Sequence, residues 1–238
     1  MTTLTINNYS IPYEERRSTR YRRITLSIFE DRVRISVPAN VSPKQLNDLL
    51  ASKQDWILKH WLAKQAALKP PAKYIDGEHF WYRGNRIELK LKRHTGKIIR
   101  ASLEEQLLFV ELPQDLPQQE VALNIKAALI SWYKAQARKV LKERLDRYAK
   151  QMQVSYKDFR LKDQKTSWGS CSSKGNINLN WRIIMAPDKG IDYIVIHELA
   201  HLTYLNHSKQ FWQRVEDYMQ DYTVWKLWFK TNGQKLRL

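Results

Sequence analysis

Apolar and polar positions alternate through much of the first 115 residues and recur at helical spacing through most of the rest. Residues 3–7 alternate weakly. Ile24, Leu26 and Ile28 then share one face, as do Val33, Ile35 and Val37, with Glu30-Asp31 between them, so the spacing predicts two antiparallel strands. Ser42-Pro43-Lys44-Gln45 marks a helix start: a Ser cap, Pro at the first helical position and Gln where a capping box needs it. Leu46, Leu49, Leu50, Trp56, Ile57, Trp61 and Leu62 form the apolar stripe of one helix running to Ala67, and Pro70-Pro71 ends it. Strand-like runs return at Tyr74-Ile75, Phe80–Tyr82, Ile87–Leu91, Ile98-Ile99 and Leu107–Val110, with turns at Asp76-Gly77, Gly84-Asn85 and Thr95-Gly96.

A short polar link bounded by Pro113 and Pro117 divides a β-rich domain with one helix, 1–115, from a second domain, 116–238. The second opens with a long helix over 118–152, apolar at Val121, Ile125, Leu129, Trp132, Tyr133, Val140, Leu141, Leu145 and Tyr148. Its other face, with Lys134, Arg138, Lys139, Lys142, Arg144 and Arg147, reads as the solvated side. Residues 176–181 alternate Asn with Ile, Leu and Trp, the pattern of a half-buried strand, and Lys174-Gly175 makes 166–171 its hairpin partner. The small residues of that partner let an extended peptide lie along its edge. Pro187-Asp188 starts the next helix. Ser208 caps another, with Phe211, Trp212, Val215 and Tyr218 inward, and Asp221 a last one, holding Val224, Trp225 and Trp228 and ended by Gly233.

Hydrophobic content of 43% with nine Trp sets the chain among folded globular proteins. A single cysteine excludes an internal disulfide framework and a cysteine-based zinc cluster, and suits a reducing compartment. No signal-peptide pattern opens the chain and no apolar run reaches the length of a membrane span, so a cytoplasmic protein without membrane contact is expected. The net charge of +17 is spread along the chain, its densest point being Arg16, Arg17, Arg20, Arg22 and Arg23. Such a cluster fits a solvated strand face as well as it fits an anionic ligand, whether nucleotide or nucleic acid.

The chemistry concentrates in His197-Glu198-Leu199-Ala200-His201, followed by His207. On a helix, His197 and His201 share one face and can bind one metal ion, while Glu198 reaches a water on that metal. His207 has enough chain before it to leave the helix and return as a third ligand. Three neutral nitrogens with one open position is the arrangement of a catalytic rather than a structural zinc. The competing interpretation is a pair of satisfied core histidines beside a surface Glu; three of the six histidines falling within eleven residues weighs against it. His60, His79 and His94 show no ligand spacing. Cys171 has nothing basic beside it to activate a thiolate and reads as a small buried side chain rather than a nucleophile.

Trp168-Gly169-Ser170-Cys171, Asn178-Leu179-Asn180-Trp181-Arg182, Ile191-Asp192-Tyr193 leading into the histidine motif, Asn206-His207-Ser208 and Phe211-Trp212 together resemble the YgjP-like zinc metallopeptidase family of the zincin group, and more distantly the SprT-like proteases. The resemblance is dense over about residues 165–230. It implies an α+β fold: a zincin-like metal-binding C-terminal domain, in which the 166–171 strand borders the cleft, beside the β-rich N-terminal one. It also implies His197, His201 and His207 as ligands of one Zn2+ and Glu198 as general base. The third histidine has metzincin spacing, but Tyr204 stands where that group has Gly.

The expected activity is therefore cleavage of peptide or protein substrates by a Glu-activated, zinc-bound water. Trp168, Gly169, Ser170, Tyr204, Asn206 and Tyr222 are candidate substrate contacts by residue type and proximity in sequence. Two alternatives follow from the positive charge: a metal-dependent nucleoside-triphosphate pyrophosphatase, and a nucleic-acid-associated protease.

Overall fold

The computed structural model describes residues 2–66, 72–164 and 167–238. Contacts divide the chain into two units, Met1–Pro70 and Pro71–Leu238. The expected division at 115/116 falls inside the second unit, because Ile87, Leu89, Leu108, Val110 and Leu112 share one core with the long helix that follows them. Ala67 and the Pro70-Pro71 helix stop lie outside the described residues.

The first unit holds β1 (Thr2–Ile6), β2 (Tyr9–Ser18), β3 (Thr25–Ile28), β4 (Val33–Pro38), α1 (Pro43–Ser52) and α2 (Gln54–Ala66). Its sheet runs β1-β2-β4-β3, with β2 and β4 parallel and the other pairs antiparallel. The β3–β4 pair is the one the alternation predicts. Strand β2 is not, because Glu14-Glu15-Arg16-Arg17 breaks its alternation; those charges pair along the strand instead, Arg16 with Glu14 and Arg17 with Glu15, each at 2.6 Å. Two of the five clustered arginines are thus neutralised by their own neighbours.

The capping box forms as read, Ser42 Oγ accepting from Gln45 N while Gln45 Oε1 accepts from Ser42 N. The single expected helix is two, however, broken at Lys53. An unbroken helix would turn Lys53 onto the face of Leu46, Leu50 and Ile57; at the break Lys53 is exposed while Ile57 stays buried, and Trp56 and Leu62 are exposed.

In the second unit β5 (His79–Tyr82), β6 (Asn85–His94), β7 (Arg100–Glu104) and β8 (Leu107–Pro113) form a sheet of order β5-β6-β8-β7. Tyr74-Ile75 and Ile98-Ile99 lie outside its strands, Tyr74 with a φ of +56°. Helix α3 (Gln118–Gln151) follows, then β9 (Asp158–Lys162), β10 (Gly169–Cys171) and β11 (Asn176–Asn180), a 3₁₀ turn at Trp181–Met185, α4 (Asp188–Ala200), α5 (Lys209–Tyr218) and α6 (Tyr222–Asn232). The small sheet runs β10-β11-β9. Its β10–β11 hairpin matches the sequence reading but is shorter, Lys165 and Thr166 lying outside the described residues. Strand β9, parallel to β11, was not anticipated. Among the described residues no helix is long and apolar enough to cross a membrane.

Helix α4 is held at its start from two sides. The β5–β6 turn is Arg83-Gly84, one residue earlier than expected, with φ of +48° and +80°, the pattern of a two-residue hairpin. Arg83 N donates to Ile184 O at 2.8 Å and Gly84 N to Met185 O at 3.2 Å. A Cβ on Gly84 would stand 2.9 Å from Pro187 Cα, so only glycine allows this approach. From the other side comes Arg144 of α3. Read as solvated, it is buried, and it donates to the backbone oxygen and Oδ1 of Asp188, both at 2.8 Å, and to Asp192. The acidic residues it grips lie in the first two turns of α4, where the helix dipole favours negative charge.

Candidate metal centre

Helix α4 is apolar on most of its surface, Ile191, Val195, Ile196 and Leu199 being fully buried, and its polar residues fall in two groups, Asp188, Lys189 and Asp192 near its start and His197 and Glu198 at its end. His197 and Glu198 lie on its last turn and His201 is its C-cap. Beyond it the chain tightens through Leu202 N to Leu199 O, Thr203 N to Ala200 O and Tyr204 N to Ala200 O. Tyr204 has no positive φ, so this turn dispenses with the glycine of the metzincin pattern. Its carbonyl accepts from His201 Nδ1 at 3.0 Å. A carbonyl only accepts, so the hydrogen sits on Nδ1 and Nε2 is left with its lone pair.

His207 returns to the helix as the spacing requires. Its Nε2 lies 3.1 Å from His197 Nε2, and one ring nitrogen from each of His197, His201 and His207 falls within 4.8 Å of the others. Phe211, fully buried on α5, is the floor beneath all three, with ring centroids 5.0, 4.5 and 4.8 Å away. Ser208 fixes the start of α5, its Oγ accepting from Phe211 N.

These residues fit a metal ion. Two neutral imidazoles facing each other through Nε2 share one hydrogen at most, whereas a cation takes a lone pair from all three. His197 Nδ1 and Glu198 Oε2 are buried without a hydrogen-bond partner among the described residues. Burial, then the neighbouring histidines and Lys226, lowers the pKa of His197 to about 3, which keeps its imidazole neutral and ready to ligate. Burial pushes the Glu198 carboxyl up to about 8.

Glu198 is packed against β10. A Cβ added at Gly169 would stand 2.5 Å from Glu198 Oε1 and 2.7 Å from its Cγ, so the carboxylate occupies the space a side chain would fill. Gly169→Ala is therefore expected to displace Glu198 and lower kcat roughly 10- to 100-fold, with little change in metal content. Steady-state kinetics beside metal analysis would check this; wild-type kcat would show that the contact does not position the carboxylate.

Trp168 rests on Phe229 at 5.3 Å between centroids and against Gly233, where an added Cβ would be 2.8 Å from its ring. Gly233 does end α6, but with a φ of −54° its lack of a side chain serves Trp168 and not a left-handed cap. Buried Asn180 holds the segment before β10: its Nδ2 donates to Gln164 O and Ser167 O, and its backbone N to Trp168 O. Ser170 is exposed, accepting from Asn178. Cys171 is half-buried, and burial, with the charge of Glu198, raises its thiol to about 11, so it stays protonated at neutral pH.

Of the other candidate contacts, Asn206 is exposed on the loop before His207, and Tyr222 reaches the site through Trp212. Trp212 stacks on His207 (5.5 Å, 25°) and on Tyr222 (5.3 Å, 15°). Asp221 makes no capping bond to α6; its carboxylate accepts from Trp225 Nε1 and pairs with Lys189. Val224, read as inward, is exposed, and Phe229 is buried in its place. Sequence reasoning missed Tyr193, one turn before His197 and 5.9 Å from it, and Lys226, one turn after Tyr222; helical spacing alone would have found both.

A family model described as "YgjP-like, metallopeptidase domain" matches residues 22–232. No curated protein matches the chain. Among solved structures, the metallopeptidase zymogen of Pyrococcus abyssi abylysin is similar at 30% identity over 32% of this chain and 76% of that one, with a TM-score of 0.30. The metallopeptidase zymogen of Methanocaldococcus jannaschii jannalysin is 20% identical over 41% of this chain and 97% of that one, with a TM-score of 0.35.

Proposed function

The chain belongs to the YgjP-like metallopeptidase family, and from that premise we propose that it hydrolyses peptide bonds at the His197–His201–His207 cluster with Glu198 as general base. The observation that carries this reading is the convergence of three ring nitrogens beside a buried carboxylate from the same helix turn. One zinc ion is the group the three imidazoles would hold, since a neutral nitrogen set with an open position suits it. When bound, such an ion supplies Lewis acidity, polarising a carbonyl and acidifying a water.

The remaining work belongs to the chain. Glu198 takes the proton of the attacking water and returns it to the departing amine. Its buried position raises its proton affinity towards neutrality, where both transfers are feasible, while a cation in the cluster draws it down again. Gly169 gives the carboxylate its place. Strand β10 is an edge of its sheet, so an extended substrate can pair with its backbone past Ser170. The exposed Asn206 and the hydroxyls of Tyr204 and Tyr222 are the donors we assign to the developing oxyanion.

Metal-loaded protein incubated with a mixed peptide pool is expected to create new termini, detected by mass spectrometry, and a chelator to stop their formation. Metal analysis should give one equivalent of zinc for the unaltered chain and less than one for His207→Ala. Intact peptides throughout, or full metal content in His207→Ala, would remove this reading.

A further inference from the structure

Resting on the peptidase reading, we propose that Lys226 docks a carboxylate of the substrate, either an acidic side chain or a free C-terminal carboxylate, close to the bond that is cut. Lys226 is exposed on α6 and makes no ion pair among the described residues. Its Nζ lies 3.8 Å over the ring of Trp212, the ring that stacks on the third histidine. The ammonium therefore stands one aromatic ring away from His207.

Three features make this more than a surface lysine. Tyr222 and Lys226 are one helical turn apart, and α6 brings both to the ring of Trp212. Free lysine side chains lose rotamer entropy when a ligand fixes them; the ring already holds this one. An ammonium over a ring keeps donors free for an oxyanion on its far side. The nearest acidic groups in sequence and site are otherwise engaged: Asp221 with Trp225 and Lys189, and Glu198 buried against Gly169. An extended chain advances about 3.4 Å per residue, so the carboxylate that reaches Lys226 belongs one or two residues from the scissile bond.

Peptide pairs differing only by Glu or Gln at each position flanking the cleaved bond, each with a free or amidated C-terminus, test this and separate the two sources of the carboxylate. With metal-loaded protein the acidic member should be preferred by about tenfold in kcat/KM, expressed in KM. Lys226→Gln should bring that ratio to about one and Lys226→Arg should restore it; added salt should shrink it. A ratio of one in the unaltered protein, or a preference that survives Lys226→Gln, overturns the proposal. A binding measurement frees the test from turnover: labelled versions of the same peptides are titrated into metal-loaded Glu198→Gln protein, with and without Lys226→Gln. Acidic preference in binding that Lys226→Gln abolishes upholds the proposal even where the unaltered enzyme cuts no peptide, the outcome that would defeat the peptidase reading. Cleavage without any acidic preference does the reverse.

Discussion

Glu198→Gln is expected to lower peptide turnover by about 10³-fold or more while leaving metal content at its wild-type value. The amide matches the carboxylate in size, so it fits the slot that Gly169 leaves and does not disturb the histidines on either side. What it removes is the ability to accept a proton. Because Glu198 is buried without a hydrogen-bond partner for Oε2, no network collapses with the substitution, and thermal stability should change by about 1 kcal/mol at most. Single-turnover kinetics with a peptide identified in the pool, read beside zinc analysis and a melting curve, distinguishes loss of chemistry from loss of metal or fold. Turnover within a few-fold of wild type would place the general base elsewhere.

Arg144→Leu should cost about 3–5 kcal/mol of stability. The guanidinium is buried between α3 and α4 and is the shared partner of Asp188 and Asp192. Leucine fills part of the volume but leaves Asp192, itself mostly covered, with only Arg147 at 3.2 Å as a cationic partner among the described residues. Asp188 keeps its pair with Arg83 but loses the two bonds that Arg144 donates to it. The same clamp gives the fold an acid limb. Burial tends to raise the Asp188 carboxyl, but Arg83 and Arg144 outweigh it and hold the group below its usual range. A depressed carboxylate stabilises fully above the unfolded value of about 3.9 and loses that contribution as pH falls through the folded one. Denaturant titrations at neutral pH and near pH 3 should therefore show a smaller penalty for Arg144→Leu in acid. A neutral-pH penalty under 1 kcal/mol would mean the clamp is incidental.

Local spacing is what made the histidine cluster legible. His197 and His201 need only one helical turn, and His207 returns through a turn closed by residues within eight positions of the helix end. The α3 helix and the β10–β11 hairpin were readable for the same reason. Strand β2 was hidden because its charges pair along the strand, which a burial pattern does not register. Arg144 looked like its neighbours on α3 because its partners lie 44 and 48 residues away. Gly169 was picked out as a small residue at a substrate edge, but its contact with Glu198 joins a strand to a helix 29 positions on and leaves no trace in either segment.

The hairpin tip at Arg83-Gly84 has a bearing on how the protein comes to be active at all. Its backbone donors are what hold the turn before α4, and the Arg83–Asp188 pair spans 105 residues of chain. Closing so long a loop is entropically slow relative to forming α3 or the β5–β6 hairpin themselves. The histidine helix is therefore expected to be anchored late in folding, after the first sheet of the second unit and α3 have formed. On the ribosome the order is the same, since residues 79–151 emerge first and wait as a template. Metal affinity needs the histidine helix in place, so a refolding experiment should recover native tryptophan fluorescence no later than it recovers metal affinity.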